Sequence, residues 1–598
     1  MSTENTLNRR SFLKGAALTG TAAAAFGLAG EAFADEAEEA EEAAEETTSS
    51  YLIAPDPVDD SLITETIETE VVIIGSGVSG LCLGARLAEL GVDFRIFSAG
   101  TTHVQRGGSF HGINTTVQQA YGIEDYTLEN LASRIKQEFM AHTYFVDQRK
   151  WSKWYNNCEE ALNWMIAKGE SYGGRFVLEM GYNDEDYLWD FTPASHNFIM
   201  LDEDLTVDNG GIFSYVTDYG AFLGAALIND IYQHEIEQVT SIDFLTKAEY
   251  LVREDDNTGR VSAVVAQKLD EEGNGTGEYV KYVGSKGIVM ATGDFSQNHE
   301  MMADHCPWAV DRGLLYDYDV NYDATFQFGG VMPGDGQKMG LWVGAAWQKT
   351  PYNAPIIDCL DGPYTKEISN VTTINLNKNG KRYMNEDCLC SYSALAGMQQ
   401  PDQAAYYIWP VEWADKNEVW DMFGATIAAP EDGIQYPSYC SYTSDEMRET
   451  WAANAESGTY VSGSTVQEVL EAFGDIDVEN ALESIEKYNQ YCQDGFDPEF
   501  LKNANELDEI VSESGLYYGY KCSMNYTRFL GVTGGLRTNE DMQVCDENDE
   551  PIEGLYNIGV MVGDMYANTY NFAICGHNLS STCTTFPYLL AQDFADME

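Results

Sequence analysis

The chain has 598 residues and a formal net charge of -64, from 33 Lys and Arg against 97 Asp and Glu. So acidic a composition argues against nucleic acid or an anionic membrane as partner, since both are gripped by basic side chains. A hydrophobic content of 44% with 12% aromatics excludes a disordered chain, and the length predicts two or three well-packed domains.

At the amino end, Arg9-Arg10-Ser11-Phe12-Leu13-Lys14 precedes a weakly apolar Ala/Gly-rich run, and Ala32-Phe33-Ala34 supplies the small residues of a cleavage site. Residues 1–34 resemble a twin-arginine signal, which implies export of a folded, cofactor-loaded chain by the twin-arginine machinery, to the outer side of the cytoplasmic membrane. The apolar run is short and poor in Leu and Ile for an anchor, although an uncleaved anchor stays open. Residues 35–64 read as an acidic low-complexity linker, with a Glu/Ala helix as the structural alternative. The 12 cysteines are scattered, and no Cys-x-x-Cys-His motif for covalent haem occurs. Cys388-Leu389-Cys390 reads as two half-buried thiols rather than a metal pair, and no metal site is expected.

Glu70-Val71-Val72-Ile73-Ile74 is a β-branched run of the kind buried in parallel sheets. It leads into Gly75-Ser76-Gly77-Val78-Ser79-Gly80 and then a helical pattern from Leu81 to Leu90, with Gly91 at the helix end. The first glycine permits a tight turn, the second lets backbone approach a pyrophosphate, and the third lets helix pack on strand. Asp93-Phe94-Arg95-Ile96-Phe97 predicts the second strand. Ser98 stands where such folds place an acidic residue for the ribose, a weaker hydrogen-bond partner than a carboxylate.

Four further segments follow in order: Lys286-Gly287-Ile288-Val289-Met290-Ala291-Thr292-Gly293-Asp294-Phe295, Gly334-Asp335-Gly336-Gln337-Lys338-Met339-Gly340, Asn377-Lys378-Asn379-Gly380-Lys381-Arg382-Tyr383-Met384-Asn385-Glu386, and Thr533-Gly534-Gly535 with Gly554-Leu555-Tyr556-Asn557-Ile558-Gly559. Together they resemble the fumarate reductase/succinate dehydrogenase flavoprotein family, whose corresponding motifs read ATGGF, GDGIKMA, NKDGKRFVNE and GG…GLYAAG. The matches run from about Glu70 to the C-terminus. With the twin-arginine signal, they point to the soluble exported branch of fumarate, urocanate and other enoate reductases.

The resemblance implies an α/β protein: a Rossmann-like FAD-binding domain from residues 65–348 and 527–598, with an α+β capping domain inserted at 349–526. Carried over residue by residue, it implies non-covalent FAD held at Gly75, Ser76, Gly77, Val78, Ser79 and Gly80 for the pyrophosphate, with Ser98 at the ribose and Ala248 at the adenine. Thr292, Gly293 and Asp335 follow near the cofactor. Ser109, His111, Gly112 and Ile113 fall in the turn beside the isoalloxazine, and His577, Asn578 and Leu579 at a helix start facing the flavin O2 edge, where the dipole favours an anionic flavin. His103 lies two positions from the covalent-linkage site of membrane-bound relatives.

In that family the flavin N5 gives hydride to one carbon of a polarised C=C, and an arginine protonates the other. Counting from Asn385 and Glu386, that arginine position holds Cys390. The HHTMGG motif, whose histidine grips a substrate carboxylate, reads Leu530-Gly531-Val532-Thr533-Gly534-Gly535, and the NRLGG arginine clamp gives way to Tyr566-Ala567-Asn568-Thr569-Tyr570-Asn571-Phe572. Charge-assisted carboxylate contacts contribute roughly 1.5–3 kcal/mol each, so losing three disfavours fumarate and favours a neutral, larger substrate. Tyr392 is the first candidate for general acid and Cys390 the second, while Tyr566 and Tyr570 are candidates to polarise a carbonyl; against this stands plain packing, common in a chain with 37 tyrosines. Electrons are expected from a separate cytochrome or flavoprotein donor. The alternatives are an α,β-dehydrogenase or oxidase like the ketosteroid dehydrogenases, and a flavin-binding protein without turnover.

Overall fold

The computed structural model describes residues 49–103, 110–123, 126–172, 174–181, 195–200, 223–315, 317–324, 329–357, 374–388, 390–416, 419–420, 425–428, 435–436, 442–523, 529–571, 573–574 and 576–597. The twin-arginine segment, the acidic tract to residue 48, Ser109 and the side chain of Cys390 lie outside the described residues. Internal contacts divide the chain into Met1–Ile53, with a single 3-10 turn at Ser50–Leu52, and Ala54–Glu598. Everything below concerns the second unit.

The main sheet begins with β1 (Ile63–Ile74), α1 (Val78–Leu90) and β2 (Phe94–Phe97). β1 starts well before the apolar run, because only its second half is buried. Its first half is polar and exposed, and pairs with the far end of a long later strand. Gly91 closes α1 in the left-handed region at φ 71°, a conformation that glycine adopts without steric cost.

Two helices follow, α2 (Leu128–Ala141) and α3 (Gln148–Ser171). Then come the short β3 (Ile242–Asp243) and the meander β4 (Thr246–Arg253), β5 (Val261–Leu269) and β6 (Gly275–Met290). After α4 (Asp335–Trp342) and α5 (Cys390–Gly397), the chain returns as β7 (Gln543–Cys545) and β8 (Pro551–Asn557). The strand order is β7-β8-β6-β1-β2-β3, with β5 paired to β6 and β4 to β5. β8, β6, β1 and β2 are parallel, and their registers align Asn557, Met290, Ile74 and Phe97 at one edge. In open α/β sheets, ligands bind beyond that carboxyl edge.

A second region holds Ala404–Pro410, paired antiparallel with Tyr517–Ser523, which also pairs with Val461–Gly463. A further sheet joins distant segments. Gly174–Gly181 pairs with both Ser195–Met200 and Ala425–Ala428, and Phe110–His111 pairs with Ser195–Met200. Among the described residues no helix is long and apolar enough to cross a membrane.

The Asn377–Glu386 motif is built around a buried ion triad. Arg382 Nη2 lies 2.7 Å from Glu386 Oε2 and 3.0 Å from Asp497 Oδ2, with its guanidinium over the rings of Tyr488 and Phe500. Glu386 also accepts from the Asn375 amide at 3.1 Å. Two carboxylates deprived of their shared cation would be left uncompensated. Arg382→Ala should therefore lower stability by about 3–5 kcal/mol in a urea unfolding experiment; a loss below about 1 kcal/mol would mean that the triad is solvated.

Candidate active site

At the carboxyl edge of the sheet, Gly75 turns at φ 111°, and a Cβ there would lie 2.4 Å from the Ala291 carbonyl oxygen. A Cβ on Gly80 would lie 2.1 Å from Gly75 O, so helix and turn meet only through glycine. α1 starts at Gly77 with no capping side chain and no acidic residue in its first turn. Ser76 Oγ is buried without a protein partner. An uncapped helix N-terminus beside an orphaned hydroxyl suits an anionic pyrophosphate. Gly559, at φ 82°, closes over Ser79, where a Cβ would come within 2.7 Å of Ser79 Oγ.

The other residues expected at the cofactor fall around this edge. Thr246 N donates to Ser98 O at 2.9 Å, which puts Ser98 beside the strand that bears Ala248. Gly293 O accepts from Gln337 Nε2 at 3.0 Å, and Thr292 Oγ1 packs on Gly336. Asp335 is engaged by protein groups, taking Tyr322 OH at 2.6 Å and Lys338 Nζ at 2.7 Å. His103 Nε2 is held by Asp230 at 2.7 Å.

On the opposite side, α3 docks the C-terminal return. Lys150 Nζ donates to Gly563 O at 2.8 Å, Trp151 Nε1 to Met565 O at 3.0 Å, and Trp154 Nε1 to Ser580 Oγ at 2.9 Å. Burial pulls the Lys150 pKa down, and neighbouring Asp564 pulls it back. His577 stacks on Trp151 with ring centroids 4.1 Å apart, and meets Trp154 edge-on at 4.1 Å. His111 N donates to Gly576 O at 3.3 Å, bringing the His111-Gly112-Ile113 turn to the start of that helix. Gly112 is required there, since a Cβ would lie 2.3 Å from the His196 ring. Asn578 and Leu579 continue the helix; Leu579 is buried, and Asn578 Oδ1 accepts from Thr582. A π turn follows at Ser581–Thr585, a distortion frequent at functional sites.

The two tyrosines expected to act as a pair lie edge-to-face, centroids 5.0 Å apart. Tyr566 OH meets His577 Nδ1 at 2.7 Å, so it orients the histidine instead of facing a substrate. His577 Nε2 is left buried without a protein partner, an orphan that a flavin edge would satisfy. Burial pushes the Tyr566 pKa far up, with Tyr570 adding to it.

Tyr392 lies in α5. Its hydroxyl receives Asn571 Nδ2 at 2.9 Å, and the same amide reaches Glu138 Oε2 at 3.2 Å. Asn571 Oδ1 accepts from Ala573 N at 2.9 Å, which settles the orientation of the amide. Burial, only partly offset by the Asn571 contact and reinforced by Glu138, pushes the Tyr392 pKa up to about 12. The phenol therefore holds its proton at neutral pH. His142 Nε2 stands 3.5 Å from Glu138 Oε2, while its Nδ1 is 2.7 Å from Ala567 O.

Of the positions that the resemblance makes cationic, Leu530/Gly531 and Tyr570 flank one strand, Pro355–Ile357. Gly531 pairs with Ile356 on one side, and Tyr570 bridges Ile356 on the other. Ser391 Oγ, next to Cys390, donates to Ile357 O at 2.8 Å. Glu138, His142, Trp151 and Trp154 were not foreseen in the sequence, and Asn571 was read only as one of the residues standing where the clamp would be. The Lys150-Trp151-Ser152-Lys153-Trp154 run offered a signal, two indoles three apart on one helix face.

The Rossmann-like sheet, the uncapped glycine turn and the orphaned hydroxyl and imidazole define a dinucleotide flavoprotein site. The sequence model for the FAD binding domain family matches residues 70–576, so the chain belongs to that family; it is a FAD-dependent oxidoreductase of the fumarate reductase-like kind. It is 21% identical over 543 residues to a vinyl phenol reductase of Lactiplantibacillus plantarum, spanning 87% of this chain and 94% of that protein. It is 24% identical over 620 residues to a digoxin reductase of Eggerthella lenta, spanning 97% and 95%. In fold it is similar to a 3-ketosteroid-Δ4-(5α)-dehydrogenase of Rhodococcus jostii, with TM-score 0.62 and 19% identity over 91% of this chain and 100% of that one.

Burial, together with His111 and His142 nearby, holds the His577 pKa well below the usual histidine range. The unfolded chain binds a proton here below about pH 6.5 and the native chain does not, so this residue costs stability as pH falls through that value. Unfolding at pH 7 and pH 5 should show wild type losing more stability than His577→Gln, by an increment equivalent to about one proton. Equal slopes would mean that the native imidazole is charged.

Proposed function

We propose that the protein is an exported reductase of an activated, conjugated C=C bond in a neutral acceptor, with Tyr392 as proton donor. The observation that carries this reading is the Glu138–Asn571–Tyr392 chain. The Asn571 amide fixes the phenol oxygen by donating to it, and burial together with the carboxylate behind the amide keeps the phenol protonated. Bound FAD would supply a hydride to one alkene carbon. Tyr392 gives its proton to the adjacent carbon and regains one from water, so the acceptor takes up two electrons and two protons. His577, neutral and fixed by Tyr566 and Trp151, orients the cofactor edge. The residues at the lost cationic positions suit an uncharged substrate, and a vinyl phenol, the substrate named for one relative, is a conjugated alkene without a carboxylate. The flavin is non-covalent in this reading, its electrons come from a separate cytochrome or flavoprotein, and the twin-arginine signal directs export.

The test starts with the dye-reduced holoenzyme and a panel of enoates, enones and styrenes. A neutral conjugated alkene should reoxidise the flavin, while fumarate should not. With the best acceptor, Tyr392→Phe should retain FAD and dye reduction but slow reoxidation by roughly 10²–10⁴-fold. Full activity in that variant would move the proton donor elsewhere, and rapid fumarate turnover would overturn the substrate class. Acid precipitation should release the flavin into the supernatant as FAD; yellow colour retained in the pellet would mean covalent attachment.

A further inference from the structure

The carboxylate behind Tyr392 has a partner of its own. α2 ends on His142, whose backbone N–H closes the helix onto Glu138 O and whose ring comes back against the Glu138 side chain. Both residues are buried, Glu138 at 3% exposure and His142 at 1%. Asn571 Nδ2 donates to Glu138 Oε1 at 3.3 Å and Oε2 at 3.2 Å, and its other hydrogen goes to Tyr392 OH at 2.9 Å. That amide is neutral. Among the described residues the one ion-pair partner of Glu138 is His142, with Nε2 3.5 Å from Oε2, a distance too long for a hydrogen bond but short for opposite charges. A buried carboxylate is costly to leave without a counter-charge.

The surroundings of the imidazole fit a cation. Its Nδ1 lies 2.7 Å from Ala567 O, a contact that needs a proton on Nδ1, while Ala567 N stands further off at 3.2 Å. A neutral ring with that proton would turn a bare Nε2 lone pair toward the carboxylate; a second proton, on Nε2, converts the repulsion into attraction. His142 is also the C-cap of α2, where the helix dipole favours positive charge. The other titratable groups facing the pair are Tyr566, with its ring 5.7 Å from that of His142, Tyr392 beyond the amide, and His577, which is itself kept neutral.

We infer that His142 is a positioning residue of the site: as a cation it neutralises Glu138, which holds the carboxylate against Asn571 and lets Tyr392 release its proton beside a neutral pair. An unpaired carboxylate there would oppose the negative charge that develops on the phenol oxygen as the proton leaves. The ion pair stands on its own geometry; its part in the reaction rests on the reading of Tyr392 as proton donor.

A charge-rescue cycle on the FAD-loaded enzyme tests both parts. His142→Gln strands the carboxylate and should raise the urea unfolding constant about 10²–10³-fold. In His142→Gln/Glu138→Gln the stranded charge is gone, and most of that loss should return, which an imidazole that served only to fill space would not allow. Reoxidation by the best neutral alkene should follow the same order, about 10- to 100-fold slower in His142→Gln and largely recovered in the double variant. Should His142→Gln fail to fold, infrared spectra of wild type and Glu138→Gln decide, since wild type should show no protonated-carboxyl band that the variant lacks. Full stability in His142→Gln, a double variant no better than the single one, or a protonated Glu138 in wild type overturns the inference. So does unchanged reoxidation in His142→Gln when Tyr392→Phe is slow. If Tyr392→Phe reoxidises at full rate while the stability cycle holds, the donor reading fails and the ion pair stands.

Discussion

Three side-chain bonds from one helix to the returning C-terminal chain hold the site together. Lys150, Trp151 and Trp154 sit in the first two turns of α3 and bond Gly563 O, Met565 O and Ser580 Oγ. Buried backbone carbonyls need such partners, and an indole N–H supplies one while filling apolar space. The same indoles enclose His577, so the packing that anchors the return also keeps that imidazole neutral. Tyr566 then has a fixed acceptor, and its neighbour Tyr570 is placed against Pro355–Ile357.

The electrostatics follow from this enclosure. In a region closed to water a cation needs a paired anion, and the described residues around Tyr566, Tyr570 and Tyr392 offer carboxylates and aromatic rings. Glu138 is satisfied by Asn571 and approached by His142, and Asp294 by Ser296. Both are held by protein contacts, so they keep their place without a substrate. Polar groups fixed in this way need no reorganisation during a reaction.

The nucleotide-binding half of the fold was legible in the sequence because its signals are local. A β-branched run, three glycines and a helix are contiguous, and two of the glycines, Gly75 and Gly80, answer to a close backbone approach. The polar half of β1 was not legible, since its partner strand lies more than 200 residues away and neither face is buried. Gly174–Gly181 pairs with Ala425–Ala428 across a similar separation. Of the site, Tyr392 could be reached by counting from Glu386. Glu138 lies in no motif and is 433 residues from Asn571, so only the fold brings them together. Tyr566 showed the limit of counting: its position was readable, but the direction of its hydroxyl depends on His577.

The strand Pro355–Ile357 links two of the departures from the dicarboxylate pattern. Its two edges carry Gly531 and Tyr570, and Ser391 closes one end. A cation restored at position 531 would meet Asp294, whose Oδ2 lies 2.4 Å from where a Cβ would stand. It would form an internal ion pair there. The glycine turn and α1 belong to the flavin-binding frame, which the same fold can combine with different substrate-facing residues.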